Sequence, residues 1–348
     1  MFTKNNKVFF LDKLNRPLKK LDNLVLPKPK KYHVLVKILF SGLCGSQIME
    51  INGKRGKDIY LPHLLGHEGY AKVIKVGKKV KKLRQNDFVL LTWIKGNGGQ
   101  ESNIQIENGK RFINSGPINT FSNYALVSEN RCIKVKHINN KTISPILGCS
   151  LPTGVGIIKK NLKPKKNKSF IVNGLGGVGI FVLLALLNLN TKKIIVVEKN
   201  QKKLNYLKKL KLGIELIKFN KNIKKNVLKK NINELADYII DCTGSIISMN
   251  NCLNLIKKNG TFIFASHPNS KNKLKIDPHE LISGKKIVGS WGGGINLEKD
   301  KKFLIDTFNN QFLKSPLKKL IKIYSLNNLN SAINDFKNGK VFKVILKH

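Results

Sequence analysis

The chain is short of acidic residues, and past Arg131 it has no arginine. Its 20 Asp and Glu stand against 65 Lys and Arg, for a formal charge of +45. Such an excess normally points to nucleic acid or to an anionic surface. The arginines, however, are only Arg16, Arg55, Arg84, Arg111 and Arg131. A dedicated nucleic-acid reader uses arginine for bidentate contacts to guanine and phosphate. The lysines are spread over the whole length among many Asn and Ile, the mixture that an AT-rich coding bias produces. Nucleic acid is therefore not the expected partner, while a preference for anionic substrates stays open. No apolar run reaches the roughly eighteen residues of a membrane-spanning helix, so no membrane partner is expected. The start, Met1-Phe2-Thr3-Lys4-Asn5-Asn6-Lys7, lacks a secretory apolar region, and a cytoplasmic location is expected. The five cysteines form no CxxC, which argues against a disulfide framework. Cys132, Cys242 and Cys252 lie in apolar stretches and read as small core residues. There is no low-complexity linker.

What the chain does have is length and pattern. With 348 residues, 41% of them hydrophobic, it is large enough for two domains. Residues 8–40 read as short strands, with Val34 to Phe40 nearly continuous in apolar character. Lys72 to Gly77 alternates with period two, and the turn Asn86-Asp87 precedes a further strand, Phe88 to Leu91. Residues 95–120 are polar and rich in Gly and Asn, and read as a long loop. Tyr124 to Val127 and Ile133 to Val135 read as short strands. From about residue 151 helix and strand alternate. Strands are expected at Ser169 to Asn173, Lys193 to Val197, Tyr238 to Asp241 and, after the turn Asn259-Gly260, Thr261 to Ala265. Helices are expected at Ile180 to Leu189, near 200–212, near 298–311 and over Leu329 to Phe336, with a last strand at Val341 to Leu346. Strands alternating with helices mean a doubly wound parallel sheet, hence an α/β fold.

Gly174-Leu175-Gly176-Gly177-Val178-Gly179 lies between a strand and a helix and satisfies the G-x-G-x-x-G pattern of dinucleotide sites. Gly174 permits the tight turn, Gly176 lets a pyrophosphate approach the backbone, and Gly179 lets the helix pack on the sheet. The free N–H groups of the helix start, at Gly177 and Val178, then face the phosphates. Glu198 ends the next strand, about twenty residues on, where a carboxylate binds the adenosine ribose. That carboxylate repels a 2′-phosphate and favours NAD; Lys199 beside it pulls toward NADP. NAD is the expected cofactor and NADP the lesser one.

Leu65-Gly66-His67-Glu68-Gly69 sets an imidazole beside a carboxylate between glycines. Alone it is a turn as readily as a metal site. Cys44 stands before it in the loop Ser41 to Gln47, and Cys149 after it in Leu147-Gly148-Cys149.

Together these motifs resemble the zinc-dependent medium-chain alcohol dehydrogenases over the whole chain. The resemblance rests on Gly66 to Gly69 followed by Val76-Gly77, Val80 and Asp87 to Val89, on Leu147 to Cys149 with Pro152-Thr153-Gly154, and on the glycine fingerprint in its expected place. It implies a GroES-like β-rich catalytic domain from residues 1–150 and 290–348, and a Rossmann cofactor domain from 151–289. It also implies one catalytic zinc per subunit held by Cys44, His67 and Cys149, a ligand set that suits Zn²⁺ and leaves its fourth position open. The same resemblance implies that Glu68 sits behind the zinc and approaches it during ligand exchange, that Ser46 is the relay hydroxyl, that Thr153 packs near the nicotinamide and Lys203 near the adenosine ribose, and that Lys343 matches an arginine on the pyrophosphate. A homodimer or homotetramer acting on a small alcohol or aldehyde follows from the same likeness.

Three departures from the family pattern are visible. Gln47 replaces the Asp that orients the histidine ligand, as a neutral acceptor. Met49 stands where the proton relay commonly ends in histidine, with His63 nearby in sequence. No cysteine lies in residues 95–120, so the second, structural zinc of many relatives is not expected. Trp93 reads either as a pocket residue or as a core aromatic, and Gly292-Gly293-Gly294 as a close approach to cofactor or as a flexible joint. The leading expectation is an NAD- and zinc-dependent alcohol dehydrogenase. A polyol, sugar or threonine dehydrogenase is the alternative within enzymes, and a basic nucleic-acid-binding protein that keeps the fold is the alternative outside them.

Overall fold

The computed structural model describes residues 5–101, 103–220, 223–230 and 234–348. The chain starts with β1 (Val8–Leu11), β2 (Lys19–Leu21), β3 (His33–Leu43), α1 (Gly45–Ile51), β4 (His63–Leu64), β5 (Glu68–Val76), β6 (Phe88–Thr92), β7 (Ile104–Asn108), β8 (Arg111–Ser115), β9 (Tyr124–Ser128) and β10 (Cys132–Lys134). An alternating stretch follows, with α2 (Ser150–Gly156), β11 (Ser169–Asn173), α3 (Gly177–Leu187), β12 (Lys193–Glu198), α4 (Gln201–Lys209), β13 (Glu215–Lys218), α5 (Ile223–Lys230), β14 (Ala236–Asp241), α6 (Ile246–Leu253), β15 (Ile256–Phe264), α7 (Pro278–Ile282) and β16 (Lys286–Gly289). The end is α8 (Leu297–Asp306), β17 (Ile321–Ser325), α9 (Leu329–Lys337) and β18 (Lys343–Lys347).

The alternating stretch forms a six-stranded sheet, in the order β13-β12-β11-β14-β15-β16 and parallel at every pairing. Phe170 and Val172 of β11 pack in one cluster with α3 residues such as Phe181 and Leu184. Ile171, between them, packs with Val227 of α5 and Met249 of α6. Successive strand residues thus feed opposite faces, and helices cover both, which is why these strands read as continuous apolar runs.

The remaining strands form a five-stranded sheet, β2-β1-β4-β8-β7, and a seven-stranded one, β10-β6-β5-β3-β18-β17, with β9 also on β3. β3 is the axis of the second sheet: it pairs antiparallel with β5, β9 and β18. The C-terminal strands therefore extend a sheet begun near the N-terminus. This return brings residues of β18 against those that open β5.

Several sequence expectations are corrected. Residues 95–120 are not simply a loop: β7 and β8 form a hairpin there, with Ile104, Ile106 and Ile113 buried. The two-residue turn Gly109-Lys110, with Gly109 at φ +59°, is the signal that the polar composition hid. α3 begins at Gly177 rather than Ile180, because two fingerprint glycines make its first turn. Asn259-Gly260 lies inside β15, with Asn259 at φ +61°, rather than ahead of it. The short strands β13, β16 and β17 carry too few residues for a clear period.

α2, which begins just after Cys149, packs on α3, which begins in the phosphate loop. The contact is close because Gly154 lacks a side chain: a Cβ there would stand 2.6 Å from both Phe181 Cβ and Val178 O. Gly154→Ala should therefore cost about 1–3 kcal/mol of overpacking and lower the thermal midpoint, read by calorimetry. An unchanged midpoint would show that α2 and α3 yield freely.

Candidate active site

Cys44, His67 and Cys149 arrive from three different segments. Cys44 is the residue between β3 and α1, Cys149 directly precedes α2, and His67 directly precedes β5. Gly66 makes the last placement possible, at φ +97°, in a position where a Cβ would fall 2.2 Å from Thr120 Oγ1. The three ligand atoms lie within 4.8 Å of one another, with His67 Nε2 3.3 Å from Cys149 Sγ. A hydrogen bond from Cys149 holds the Cys44 thiol well below its usual pKa, aided by His67 and opposed by burial. The same shared proton pushes Cys149 well above. Two sulfurs this close do not both ionise without a cation between them. Two thiolates and an imidazole at this separation fit tetrahedral Zn²⁺.

Around this triangle the structure adds what the sequence did not reveal. Gln47 accepts the Cys44 N–H on Oε1 at 2.8 Å and turns its amide nitrogen to His67 Nδ1 at 2.5 Å. The expected neutral acceptor thus faces the ring with its donor side, because its oxygen is engaged by the helix start. Lys343, matched by motif to a pyrophosphate contact, is fully buried and ion-paired with Glu68, and also donates to Leu43 O at 3.1 Å. It nonetheless borders the phosphate loop: a Cβ on Gly177 would lie 3.9 Å from Lys343 Nζ. Burial alone would lower the pKa of Lys343, but Glu68, Cys44 and Cys149 together raise it. Burial raises that of Glu68, against the pull of Lys343. One ammonium faces three acids, so it is locked on while the acids compete. A long-range pair such as Glu68–Lys343 leaves no local signature.

Ser46 Oγ and Glu68 Oε2 are buried without a hydrogen-bond partner among the described residues. His63 does not serve Ser46: its nitrogens face Leu64 O at 3.0 Å and Asp58 Oδ2 at 2.9 Å. One helical turn beyond Ser46 on α1 stands Glu50, half-buried, its pKa raised by burial against the pull of His63 and Arg55. The four-residue spacing was the available signal for that neighbour.

At the second centre the three glycines behave differently. Gly174 has φ +86°, while Gly176 has no heavy atom within 4 Å of a Cβ position, leaving its backbone open. A Cβ on Gly179 would meet Gly174 O at 2.2 Å. Val178 follows in the first turn of α3. Glu198 accepts the N–H of Leu175 at 2.9 Å and of Asn200 at 3.0 Å, one on each oxygen. Lys203 donates to Leu175 O at 3.2 Å and lies over the Phe342 ring, with burial lowering its pKa. Thr153 donates its hydroxyl to Cys149 O at 2.8 Å, so its side chain secures α2. Behind the loop, Asp241 is buried and held by Asn173 and Thr243. Burial pushes its pKa up to about 6 despite those hydrogen bonds.

Trp93 stands beside His67, ring centroids 6.5 Å apart, and meets Trp291 edge-to-face at 5.0 Å. Trp291 was not foreseen, since it lies on the loop after β16, remote in sequence from every ligand.

Comparison with known proteins agrees with this arrangement. A family profile described as "Alcohol dehydrogenase GroES-like domain" matches residues 30–137, and one described as "Zinc-binding dehydrogenase" matches residues 177–309. Alcohol dehydrogenase 6 of Peromyscus maniculatus is 26% identical over 359 residues, covering 94% of this chain and 93% of that protein. An S-(hydroxymethyl)glutathione dehydrogenase of Escherichia coli is 24% identical, covering 96% and 97%. The crystal structure of benzyl alcohol dehydrogenase from Acinetobacter calcoaceticus superposes with a TM-score of 0.86 at 24% identity, covering 99% of each chain. The fold is thus a GroES-like β-rich part joined to a doubly wound parallel sheet.

Two outcomes follow from the buried charges. Lys343→Met leaves Glu68 buried and unpaired and should cost about 3–5 kcal/mol in denaturant unfolding, most of it recovered when Glu68 is also replaced by Met. For Asp241, a folded pKa of about 6 lies above the unfolded value, so the native state binds the extra proton between roughly pH 4 and 6. Stability should rise as pH falls through that window, by up to roughly 3 kcal/mol from this group. Asp241→Asn should flatten that part of the profile; an unchanged slope would assign it elsewhere.

Proposed function

The chain belongs to the zinc-dependent medium-chain alcohol dehydrogenase family, NAD(P)-dependent oxidoreductases acting on CH–OH donors, and from that premise we propose that it interconverts an alcohol and its carbonyl compound using NAD and a single zinc ion. The observation that carries this reading is the convergence of Cys44, His67 and Cys149 within 4.8 Å. When bound, zinc supplies Lewis acidity that lowers the pKa of an alcohol hydroxyl.

The chain's own residues do the rest. Cys44 and Cys149 as thiolates balance the charge of the metal, and Gln47 fixes the His67 ring. Ser46 Oγ, buried and free of other partners among the described residues, takes the hydroxyl proton. Met49 carries no proton onward, so the proton would leave through water or, with the cofactor bound, a ribose hydroxyl. With a dinucleotide bound, the loop at Gly174 to Gly179 would hold its pyrophosphate, and the nicotinamide would supply the hydride-accepting chemistry. The backbone at Gly176 and the N–H groups of Gly177 and Val178 supply the phosphate contacts. Glu198 keeps lone pairs for both ribose hydroxyls beyond its two backbone N–H bonds, and this supports NAD over NADP. Lys203 lies at the same end. Thr153 presents the start of α2 to the nicotinamide side.

The proposed division places residues 1–150 and 290–348 in the catalytic part and 151–289 in the cofactor part. Its support is that β17 and β18 rejoin the sheet of β3. Two neighbouring thiols that must stay reduced support a cytoplasmic location. A homodimer or homotetramer is the assembly that the family suggests.

Metal analysis of purified protein should return one zinc per chain, and Cys149→Ala should lose both that zinc and NAD-dependent alcohol oxidation. Two zinc ions, or turnover that survives the substitution, would overturn the ligand set.

A further inference from the structure

In the reading above Ser46 receives a proton, and its Oγ is buried without a partner among the described residues. A hydroxyl does not keep a second proton; one must leave as the other arrives. The acceptors around it are mostly engaged. Met49 offers none. Both ring nitrogens of His63 are taken, by Leu64 O and Asp58 Oδ2. The side-chain oxygen of Gln47 is taken by the Cys44 N–H. Glu68 is wholly buried and ion-paired with Lys343, so a proton given to it goes no further.

Glu50 differs from all of these. It lies four residues after Ser46 in α1, so the two share one helix face with Cβ atoms about 5–6 Å apart. Helical Cα–Cβ bonds tilt toward the helix N-terminus, which leans Glu50 back toward the Ser46 turn. At that span one water joins a hydroxyl to a carboxylate. Burial, the largest influence, raises the pKa of Glu50; His63, Arg55 and His67 pull it down, and Asp58 pushes it up. The influence of His67 sets Glu50 near the ligand triangle, and that of Arg55, an exposed residue, sets it near the outside. None of these groups bonds to its carboxylate, which has no hydrogen-bond or ion-pair partner among the described residues. Part of Glu50 stays open to solvent. An unpaired, half-buried carboxylate whose pKa is raised toward neutrality suits a proton acceptor.

We propose that Glu50 is the terminal proton acceptor of the reaction: the proton that Ser46 Oγ takes from the substrate hydroxyl passes through one bridging water to the Glu50 carboxylate, and from there to solvent. This rests on the alcohol dehydrogenase reading above. The transfers balance. The substrate O–H bond breaks as a new O–H bond forms on Ser46 Oγ. The former Ser46 hydroxyl proton goes to the water, and a water proton goes to Glu50. In carbonyl reduction the same protons run inward from protonated Glu50. Glu50 is thus the group to which the water exit delivers, and the role that Met49 cannot fill passes to its neighbour.

The test uses the full chain loaded with zinc, NAD, and whichever of ethanol, benzyl alcohol and glycerol is oxidised fastest. Glu50→Gln keeps the size of the side chain and removes its basicity. Its kcat/KM near pH 7 should fall about a hundredfold, with the loss in kcat and the zinc content unchanged. Glu50→Asp should recover part of the rate. Formate or acetate should speed Glu50→Ala, whose missing carboxylate they replace, and leave the unaltered chain as it was; a packing role predicts no such rescue. Glu50 must be ionised to accept, so oxidation should climb as pH rises through its folded pKa, above the ordinary glutamate range, and Glu50→Gln should lack that limb. A readout without turnover uses metal-free protein. Carbon-13 NMR should show the Glu50 carboxyl titrating above the ordinary range, and Ser46→Ala should shift that titration. Full activity of Glu50→Gln with an unchanged pH profile, a Glu50→Ala loss that neither added carboxylate restores, or a Glu50 titration blind to Ser46→Ala would overturn the route and leave the dehydrogenase reading standing. Absence of turnover by the unaltered chain with every alcohol would remove the dehydrogenase reading and this route with it.

Discussion

The ion pair between Glu68 and Lys343 is the constraint on which the arrangement of the site depends. Glu68 opens β5 directly after His67, and Lys343 opens β18 near the end of the chain. Both are almost completely removed from solvent. A buried pair of this kind adds little net stability, but neither member tolerates the loss of the other. It therefore acts as a positional lock. It fixes the first residue of β5 against the first of β18, and the lysine stem lies against Gly177 of the phosphate loop. The backbone closes around it: a Cβ on Gly42 would stand 2.6 Å from the Glu68 carboxylate carbon. Three parts of the chain that never neighbour one another in sequence are registered at this point.

The scarcity of acidic residues sharpens where they are used. Glu129 accepts backbone N–H groups from Lys81, Lys82 and Gly99, which overcome burial and hold its pKa low. Asp237 accepts the N–H and hydroxyl of Ser169 at the start of β11, and Glu198 holds the loop that follows that strand. Several carboxylates here terminate backbone donors at turns and strand starts. The many exposed lysines that pair with the rest, such as Lys192 with Glu234, contribute little by comparison. The large positive charge thus sits on a framework organised by few anions.

The candidate centres could be proposed from the sequence because they are local. Gly174 to Gly179 carries its turn, its open backbone and its packing position within six residues, and the structure assigns each glycine the conformation or space that the pattern requires. Cys44, His67 and Cys149 each sit in a short glycine-bearing segment that can be matched separately. What depended on distant partners was not legible. Lys343 could be matched by motif, but its burial against Glu68 is set by the return of β18 to β3. Gln47 could be read as a neutral group facing His67, but its orientation is decided by the N–H of Cys44. The β7–β8 hairpin was masked by polar composition although its turn glycine, Gly109, was present. Trp291 gains its meaning only from Trp93.

Gln47 joins two things usually treated apart. Its carbonyl end holds the first turn of α1, while its nitrogen end holds the ring of His67. α1 is only seven residues long, too short to persist on its own, and it carries Ser46 and Glu50. A displacement of the imidazole therefore loosens the helix start, and fraying of the helix releases the imidazole. The order of this short helix is a mechanical gauge of the centre beside it, read out in the exchange of its own amide protons.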